Sequence, residues 1–494
     1  MDHFRGQLTP HREGSLRELL AISLPLILSV LSSNIMSFFD RLILAQYDVH
    51  ALNASVIAGF VFGFFQYGAV GIAAISEVFV GQFNGAKKFR RLGEPVWQMI
   101  WFSAMTACVF IPLGLFAGPY LIPNPEYVLD GIPYFKWLMI FGPAAVFDAA
   151  LSSFFIGRGQ VRLVMTITIL ANLLNIMLDY ILIFGGANMN LAFINHFFSR
   201  FPQTIDAAGN LHVLAWLGLP QLPALGTSGA AIATGIAQSV QAVILLLIFL
   251  SPYHRQNHGT GAWQFKPKLF FQSIKIGLPS ALSNIIELSA WCVLAQILIS
   301  AGESHITIYS IGDSFYILFG FGFWGLQKGM VSLVANYLGA NKEKIVHSCL
   351  RSGITLVVGI MLIFTIPLIF FPGFLVEWFL NADPNSLPSE ELMSYGVSAI
   401  RWLWLYFMLE AIAWLFCGVL TASGDTKFVM VMNSVSAWFF CVIPIYIFLV
   451  FLEGSPVLTW KFCVLYGLFN VVCFSLRYRQ LYRIKNTVKV HAFN

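Results

Sequence analysis

Carboxylic acids stand inside long apolar stretches at Asp40, Glu77, Asp148, Asp179, Glu287, Asp313 and Glu410, accompanied by the bases Arg41 and Lys328. An ionised side chain in hydrocarbon is costly, so such residues face an internal cavity and mark the route of an ion or a charged substrate. Asn175 precedes Asp179 by one helical turn, and positions i and i+4 lie on one helix face. With Asp40, these two residues form a candidate carboxylate, amide and carboxylate cluster. Two neighbouring carboxylates in a low dielectric cannot both ionise cheaply, so the cluster is suited to hold a proton. The same oxygens could take a hard cation such as sodium, and oxygen ligands alone do not choose between the two.

Glu287 and Glu410 each lie midway along an apolar stretch in the second half of the chain and share a depth. Acids at the centre of a cavity attract cations and repel anions. The abundant Phe, Trp, Tyr and Met residues supply apolar and cation-π contacts for an organic cation. Asp148 and Asp313 are secondary candidates. Glu77, near a helix end, is expected to reach the membrane interface. Arg41 and Lys328 are expected to neutralise acids on other helices, with Glu287 or Glu410 as candidate partners of Lys328. Pro25 and Pro279 each fall inside the first long apolar run of their half, where the missing N–H weakens the helix and permits a bend. Pro25 is therefore a candidate hinge, placed to couple the state of Asp40 to the bend of its helix.

The elements that must position these groups are membrane helices. Of the 494 residues 58% are hydrophobic and only 10% charged, whereas a soluble domain carries roughly 25% charged residues. Apolar runs long enough to cross a bilayer recur along the chain, and twelve are counted between Leu16 and Leu476. The first has no small-residue cleavage pattern and is read as a retained helix, not a signal peptide. The seven cysteines show no Cys-x-x-Cys pair and no matching His spacing, so neither disulfides nor a metal site is expected from them.

Charge alternates between successive loops. One set carries Lys87, Lys88, Arg90, Arg91, Arg158, Arg162, Arg255, Lys266, Lys268, Lys342, Lys344 and Lys427, whereas acids outnumber bases in the other. Basic loops stay in the cytoplasm during insertion, so both termini are expected there, in a multi-pass protein of the cell (inner) membrane. The same rule accounts for the basic patches without any nucleic-acid partner.

An offset of 254 positions places Leu24-Pro25 on Leu278-Pro279, and Val80, Gly85, Ala86 and Lys88 on Val334, Gly339, Ala340 and Lys342. An offset of 265 pairs Gly159-Gln160-Val161-Arg162 with Gly424-Asp425-Thr426-Lys427. Six helices per repeat is an even number, so the two halves enter the membrane in the same orientation, as parallel repeats. The expected fold is an all-α membrane protein of twelve transmembrane helices in two parallel six-helix repeats. Its expected parts are a cytoplasmic tail (1–15), a first lobe (16–252), a cytoplasmic linker (253–267), a second lobe (268–476) and a second tail (477–494). The first lobe carries an outward insertion near 185–223, expected to be an irregular cap with an amphipathic turn around Phe193 to Phe201.

These residues resemble the multidrug and toxic compound extrusion (MATE) family over nearly the whole chain. The matching pieces are Leu24-Pro25 with Met36-Ser37-Phe38-Phe39-Asp40, the run Asn175 to Tyr180, the run Pro223 to Ala231, Gly277-Leu278-Pro279 with Glu287, and Glu410 ahead of Ser423-Gly424-Asp425-Thr426. The resemblance implies two bundles forming a V around a central cleft, and a rocker-switch antiporter driven by protons or sodium. On matching positions it implies an ion cluster of Asp40, Asn175 and Asp179 with Pro25 at the bend. It also implies that Glu287 and Glu410 take the acidic positions of the sodium-coupled branch. Arg41 directly after Asp40 and the long insertion depart from the family pattern.

The expected function is export of organic cations or multiple drugs in exchange for inward protons or sodium. A sodium ion would sit at Asp40, Asn175 and Asp179 or at Glu287 and Glu410. The expected partners are small organic cations and the lipid bilayer, the expected state is a monomer, and no cofactor is expected beyond the coupling ion. A lipid-linked oligosaccharide flippase is the alternative, but it calls for a cleft lined with cations. No nucleophile with its base, phosphate-binding loop or His-Glu-x-x-His pattern occurs, so an enzyme is not expected.

Overall fold

The computed structural model describes residues 8–122, 125, 127–185, 223–380, 390–452 and 454–484. The insertion expected to form an irregular cap, with Phe193 to Phe201, lies outside the described residues. The described chain is built from long apolar helices: α1 (Leu16–Tyr47), α2 (Val49–Gly85), α3 (Phe89–Phe116), α4 (Val128–Gly157), α5 (Val161–Phe184) and α6 (Gly226–Phe249) in the first lobe. The second lobe holds α7 (Pro267–Ala301), α8 (Glu303–Gly339), α9 (Glu343–Phe370), α10 (Glu390–Ala422), α11 (Thr426–Leu449) and α12 (Leu458–Tyr482). Eleven are long and apolar enough to cross a membrane, and α8 makes the twelfth if its two parts, bent by 44° between Ile317 and Phe319, are taken as one span. The chain is a multi-pass membrane protein.

Polar side chains start the first two helices. Ser15 Oγ accepts from the Glu18 N–H at 3.3 Å, and Asp48 Oδ1 from the His50 N–H at 2.9 Å, each satisfying a donor that the first turn leaves free. α1 runs through Pro25 as one helix, with Ser29 Oγ donating to the Pro25 carbonyl at 3.0 Å. α2 breaks at Ile75 and resumes at Ser76.

The repeat extends to individual hydrogen bonds. After α2 the Lys88 N–H donates to Phe83 O at 2.9 Å, and after α8 the Lys342 N–H donates to Tyr337 O at 2.8 Å. Lys87 and Asn341, equivalent at the 254 offset, are the two non-glycine residues with positive φ among the described residues, at 58° and 56°. Gly159 and Gly424, equivalent at the 265 offset, take φ of 75° and 80°, where a side chain is strained. Identical turns at identical offsets are what two copies of one six-helix unit require.

The lobes meet at the end that carries the basic turns. Ser332 Oγ donates to Ile156 O at 2.7 Å, Asn336 Nδ2 to Gly157 O at 2.8 Å, Asn84 Nδ2 to Asn336 Oδ1 at 2.7 Å, and Gln82 Nε2 to Ala422 O at 3.0 Å. Tyr337 of α8 donates to the Glu18 carboxylate of α1 at 2.7 Å. The linker begins with a short helix, Pro252–His258, then folds back on α3, where Trp97 Nε1 donates to Thr260 O at 2.7 Å and Lys266 pairs with Glu94 at 2.9 Å.

Candidate ion and substrate sites

The first site lies inside the first lobe. α1 brings Asp40, α5 brings Asn175 and Asp179, and the one-turn spacing of the latter two puts both on the buried face of α5. Asn175 and Asp179 have no exposed surface. One turn further on, α6 approaches α5 closely: a Cβ on Gly229 of α6 would lie 2.6 Å from the Leu182 backbone. The carboxyls of Asp40 and Asp179 lie close enough to act on each other directly. Two carboxylates have no donor between them, so the contact needs a shared proton or a cation. Asp40 Oδ1, both Asp179 oxygens and Asn175 Oδ1 are buried without a hydrogen-bond partner. Such a set of convergent oxygens is suited to a proton or a small hard cation.

Two residues that sequence reasoning passed over complete this site. Thr234 of α6 accepts from Asn175 Nδ2 at 3.3 Å, which leaves the amide oxygen free for the cluster. Tyr134, near the start of α4, lies in the field of both carboxyls and of Arg41. The exposed Arg41 acts on Asp40 electrostatically. A Thr and a Tyr are common in membrane helices, so neither stands out before the helices are packed.

The second site lies inside the second lobe. Glu287 of α7 accepts from Asn433 Nδ2 at 2.7 Å and from the Tyr466 hydroxyl at 3.3 Å. Tyr466 also donates to Asn433 Oδ1 at 3.2 Å, and Asn470 Nδ2 to the same oxygen at 3.3 Å. Asn433 stands just before a π-helical stretch, Ser436–Val442, whose widened turn is a local departure of the kind found at functional sites. Glu410, 4% exposed, accepts from the Tyr316 hydroxyl at 3.2 Å.

Glu287 and Glu410 interact electrostatically, and Tyr316 lies in the field of both and of Asp313. Rings enclose the acids: Tyr316 stacks on Tyr406 at 5.9 Å, Tyr406 lies 6.2 Å from Trp460, and Trp291 meets Tyr466 edge-on at 6.0 Å. Carboxylates inside an aromatic wall favour a cation that is also apolar. The Asn and Tyr ligands carry no spacing signal along the chain, because α8, α11 and α12 each contribute one or two.

The remaining candidates fall elsewhere. Asp148 of α4 accepts from Gln241 Nε2 at 3.0 Å, and Gln241 also donates to Thr168 at 3.2 Å. Lys328 acts on Glu77 and Asp148 in the first lobe, not on the second-lobe acids proposed for it. Glu77, expected to reach the interface, is 7% exposed with Oε1 buried and unpartnered. The break at Ile75 and the packing of Gly157 of α4 against the Glu77 backbone hold it inside the protein. At the acidic end, His50 Nδ1 lies 3.5 Å from Asp130 Oδ2, and Asp48 stands close enough for the three to share an ion.

Comparison with known proteins adds to this geometry. The MatE family model matches residues 25–181 and 279–447, one stretch in each lobe. A probable multidrug resistance protein NorM of Thermotoga maritima is 23% identical over 432 residues, covering 85% of this chain and 83% of the relative. The protein of the same description from Synechocystis is 22% identical over 437 residues, covering 85% of each. A MATE structure in the straight conformation superposes with a TM-score of 0.79 at 17% identity, covering 96% of this chain and 98% of that one. A MOP superfamily transporter from Pyrococcus furiosus gives 0.77 at 16% identity, covering 99% and 100%.

Proposed function

Because the chain belongs to the MatE family of transporters, we propose that it is a multidrug exporter of small organic cations, exchanged for inward protons or sodium ions by alternating access. The observation that carries this reading is the contact between the Asp40 and Asp179 carboxyls inside the first lobe. Two unit charges at about 4 Å repel by roughly 4 kcal/mol at an effective dielectric of about 20. Binding one proton or one sodium ion removes that repulsion, so the pair is loaded or emptied by the ion gradient. Pro25, in the same helix as Asp40, lets α1 bend in response.

The acids and rings around Glu287 and Glu410 supply a second place for a cation, either the organic substrate or sodium. The basic end is the cytoplasmic end by the charge rule, and it is the end at which the α2 and α8 turns close on each other. Both termini then lie in the cytoplasm, and the protein acts as a monomer in the cell membrane.

The test uses the full chain in proteoliposomes loaded with an ethidium-like dye. A proton gradient alone or a sodium gradient alone is expected to drive dye movement, and the effective gradient identifies the coupling ion. Dye movement that neither gradient alters would refute ion-coupled export.

A further inference from the structure

The segment that leads into α1 does not rest on one lobe alone. It starts on the first: a Cβ on Gly159, in the turn between α4 and α5, would lie 3.1 Å from the Leu8 side chain. It then crosses to the second. Glu13 pairs with Lys342 in the turn between α8 and α9, and Ser352 Oγ of α9 donates to the Gly14 carbonyl at 2.7 Å. At Gly14 the backbone takes φ of 72°, and a Cβ there would lie 2.8 Å from that of Ser348 of α9. The angle and the space both call for glycine, so the crossing point is a fitted contact.

Glu18, in the first turn of α1, ties this segment to the opposite lobe. It is 2% exposed. Glu18 Oε2 accepts from the Gly14 N–H at 2.7 Å, and both carboxylate oxygens lie 2.7 Å from the Tyr337 hydroxyl of α8, which donates to them. A buried carboxylate is costly without donors, and here one donor comes from each side of the lobe boundary. Tyr337 also belongs to the contact that closes the basic end: its carbonyl accepts from the Lys342 N–H at 2.8 Å, and Asn336 beside it bonds Gly157 O of α4 at 2.8 Å. If α8 withdrew from α1, Tyr337 would leave with it and Glu18 would remain with one donor lost. Separation of the lobes is penalised by that loss. The helix that Glu18 opens also carries Pro25, two turns further on, so the segment fastens the basic end of the hinged helix.

We propose that residues 8–18 form a strap that holds the basic end shut, with Glu18 as the positioning residue that fastens it to Tyr337. The inference rests on the alternating-access reading above. It adds that the leading segment, together with the α2 and α8 turns, sets how often the basic end opens.

The test uses the full chain with its seven cysteines replaced and one reporter added, Thr9→Cys in the strap or Ser332→Cys between the lobes, both positions being buried. Labelling by a water-soluble maleimide is timed without substrate. Tyr337→Phe removes only the hydroxyl and is expected to speed labelling at both positions by about ten-fold, the size of a lost hydrogen bond to a charged group. Adding Glu18→Gln should give labelling no faster than Tyr337→Phe alone, because both changes act on one bond. Lys342→Gln, at the exposed end of the strap, should speed labelling by roughly two-fold, as a surface ion pair allows. Faster labelling at position 9 alone overturns the proposal, because the segment then lifts without opening the end. Unchanged labelling at both positions overturns it too. So does a lower melting midpoint with position 332 still protected, which assigns the bond to folding alone. No dye enters these measurements, so absence of gradient-driven export in the unaltered protein would remove the transport reading and leave the strap standing.

Discussion

Gly85 of the first lobe and Gly339 of the second are equivalent positions of the repeat, and each lies against the backbone of the other's helix. A Cβ on Gly85 would overlap the Asn336 carbonyl oxygen, and one on Gly339 would overlap that of Gln82. Gln82 and Asn336 are themselves equivalent at the same 254 offset. The motif detected as a repeat is therefore also the place where the two copies touch.

Because backbone cannot yield as a flexible side chain does, Gly85→Val is expected to hold the basic end apart. A cysteine placed at Ser332, whose hydroxyl is buried against Ile156 O at 2.7 Å, reports this directly. Its labelling by a water-soluble maleimide from the basic side should rise by about ten-fold or more in Gly85→Val, the shift expected when a few kcal/mol of lobe contact is lost. Equal labelling with and without the valine would show that the close approach does not hold the lobes together.

In the second lobe, Asn433 links Glu287 to Tyr466 and Asn470. Asn433→Leu removes the Nδ2 donor at 2.7 Å from the Glu287 carboxylate and is expected to cost about 1.5–3 kcal/mol, the value of a hydrogen bond to a charged group. Thermal unfolding of the detergent-solubilised protein should show a lower midpoint. If added sodium occupies this site, the sodium-induced rise in that midpoint should also shrink.

At the basic end, Arg158 and His258 both approach His254 Nδ1, at 3.3 and 3.1 Å. His254 Nδ1 must then be the bare nitrogen, accepting from Arg158 and from His258 Nδ1–H. Burial, and then the Arg158 charge, push His254 down to about 4 and His258 down to about 3. An unfolded chain takes up these protons near the usual imidazole value of about 6.5. Between there and about 4 the unfolded state binds more protons, so this contribution to stability is present above about 6.5 and is lost as the pH falls. The melting temperature should therefore drop on acidification from pH 7 to pH 5, and His258→Leu should flatten that dependence. An unchanged slope in the variant would contradict the assignment.

The acids were the legible part of the site, because a carboxyl in an apolar run is conspicuous whatever its partners. Asp40, Asn175 and Asp179 needed only helix depth and a one-turn spacing to be grouped. Tyr134, Thr234, Asn433 and Tyr466 belong to residue types that membrane helices use everywhere, and only the packing of separate helices brings them to the acids. Glu77 was misplaced because counting along α2 assumes an unbroken helix, whereas the break at Ile75 and the cover of α4 keep the side chain inside. The partners of Lys328 depend on how one lobe docks on the other, which no spacing within one helix encodes. The repeats were legible because their turns need particular backbone angles, at Gly159 and Gly424 most plainly.

The central claim is that the Asp40–Asp179 pair takes up the coupling ion. Asp40→Asn preserves size and leaves an amide donor for Asp179, so the protein is expected to fold while the pair no longer changes charge. The most direct measurement is gradient-driven dye export by this variant in proteoliposomes, beside the unaltered protein. The account predicts that export falls to the level seen without a gradient. Gradient-driven export at the unaltered rate would contradict it.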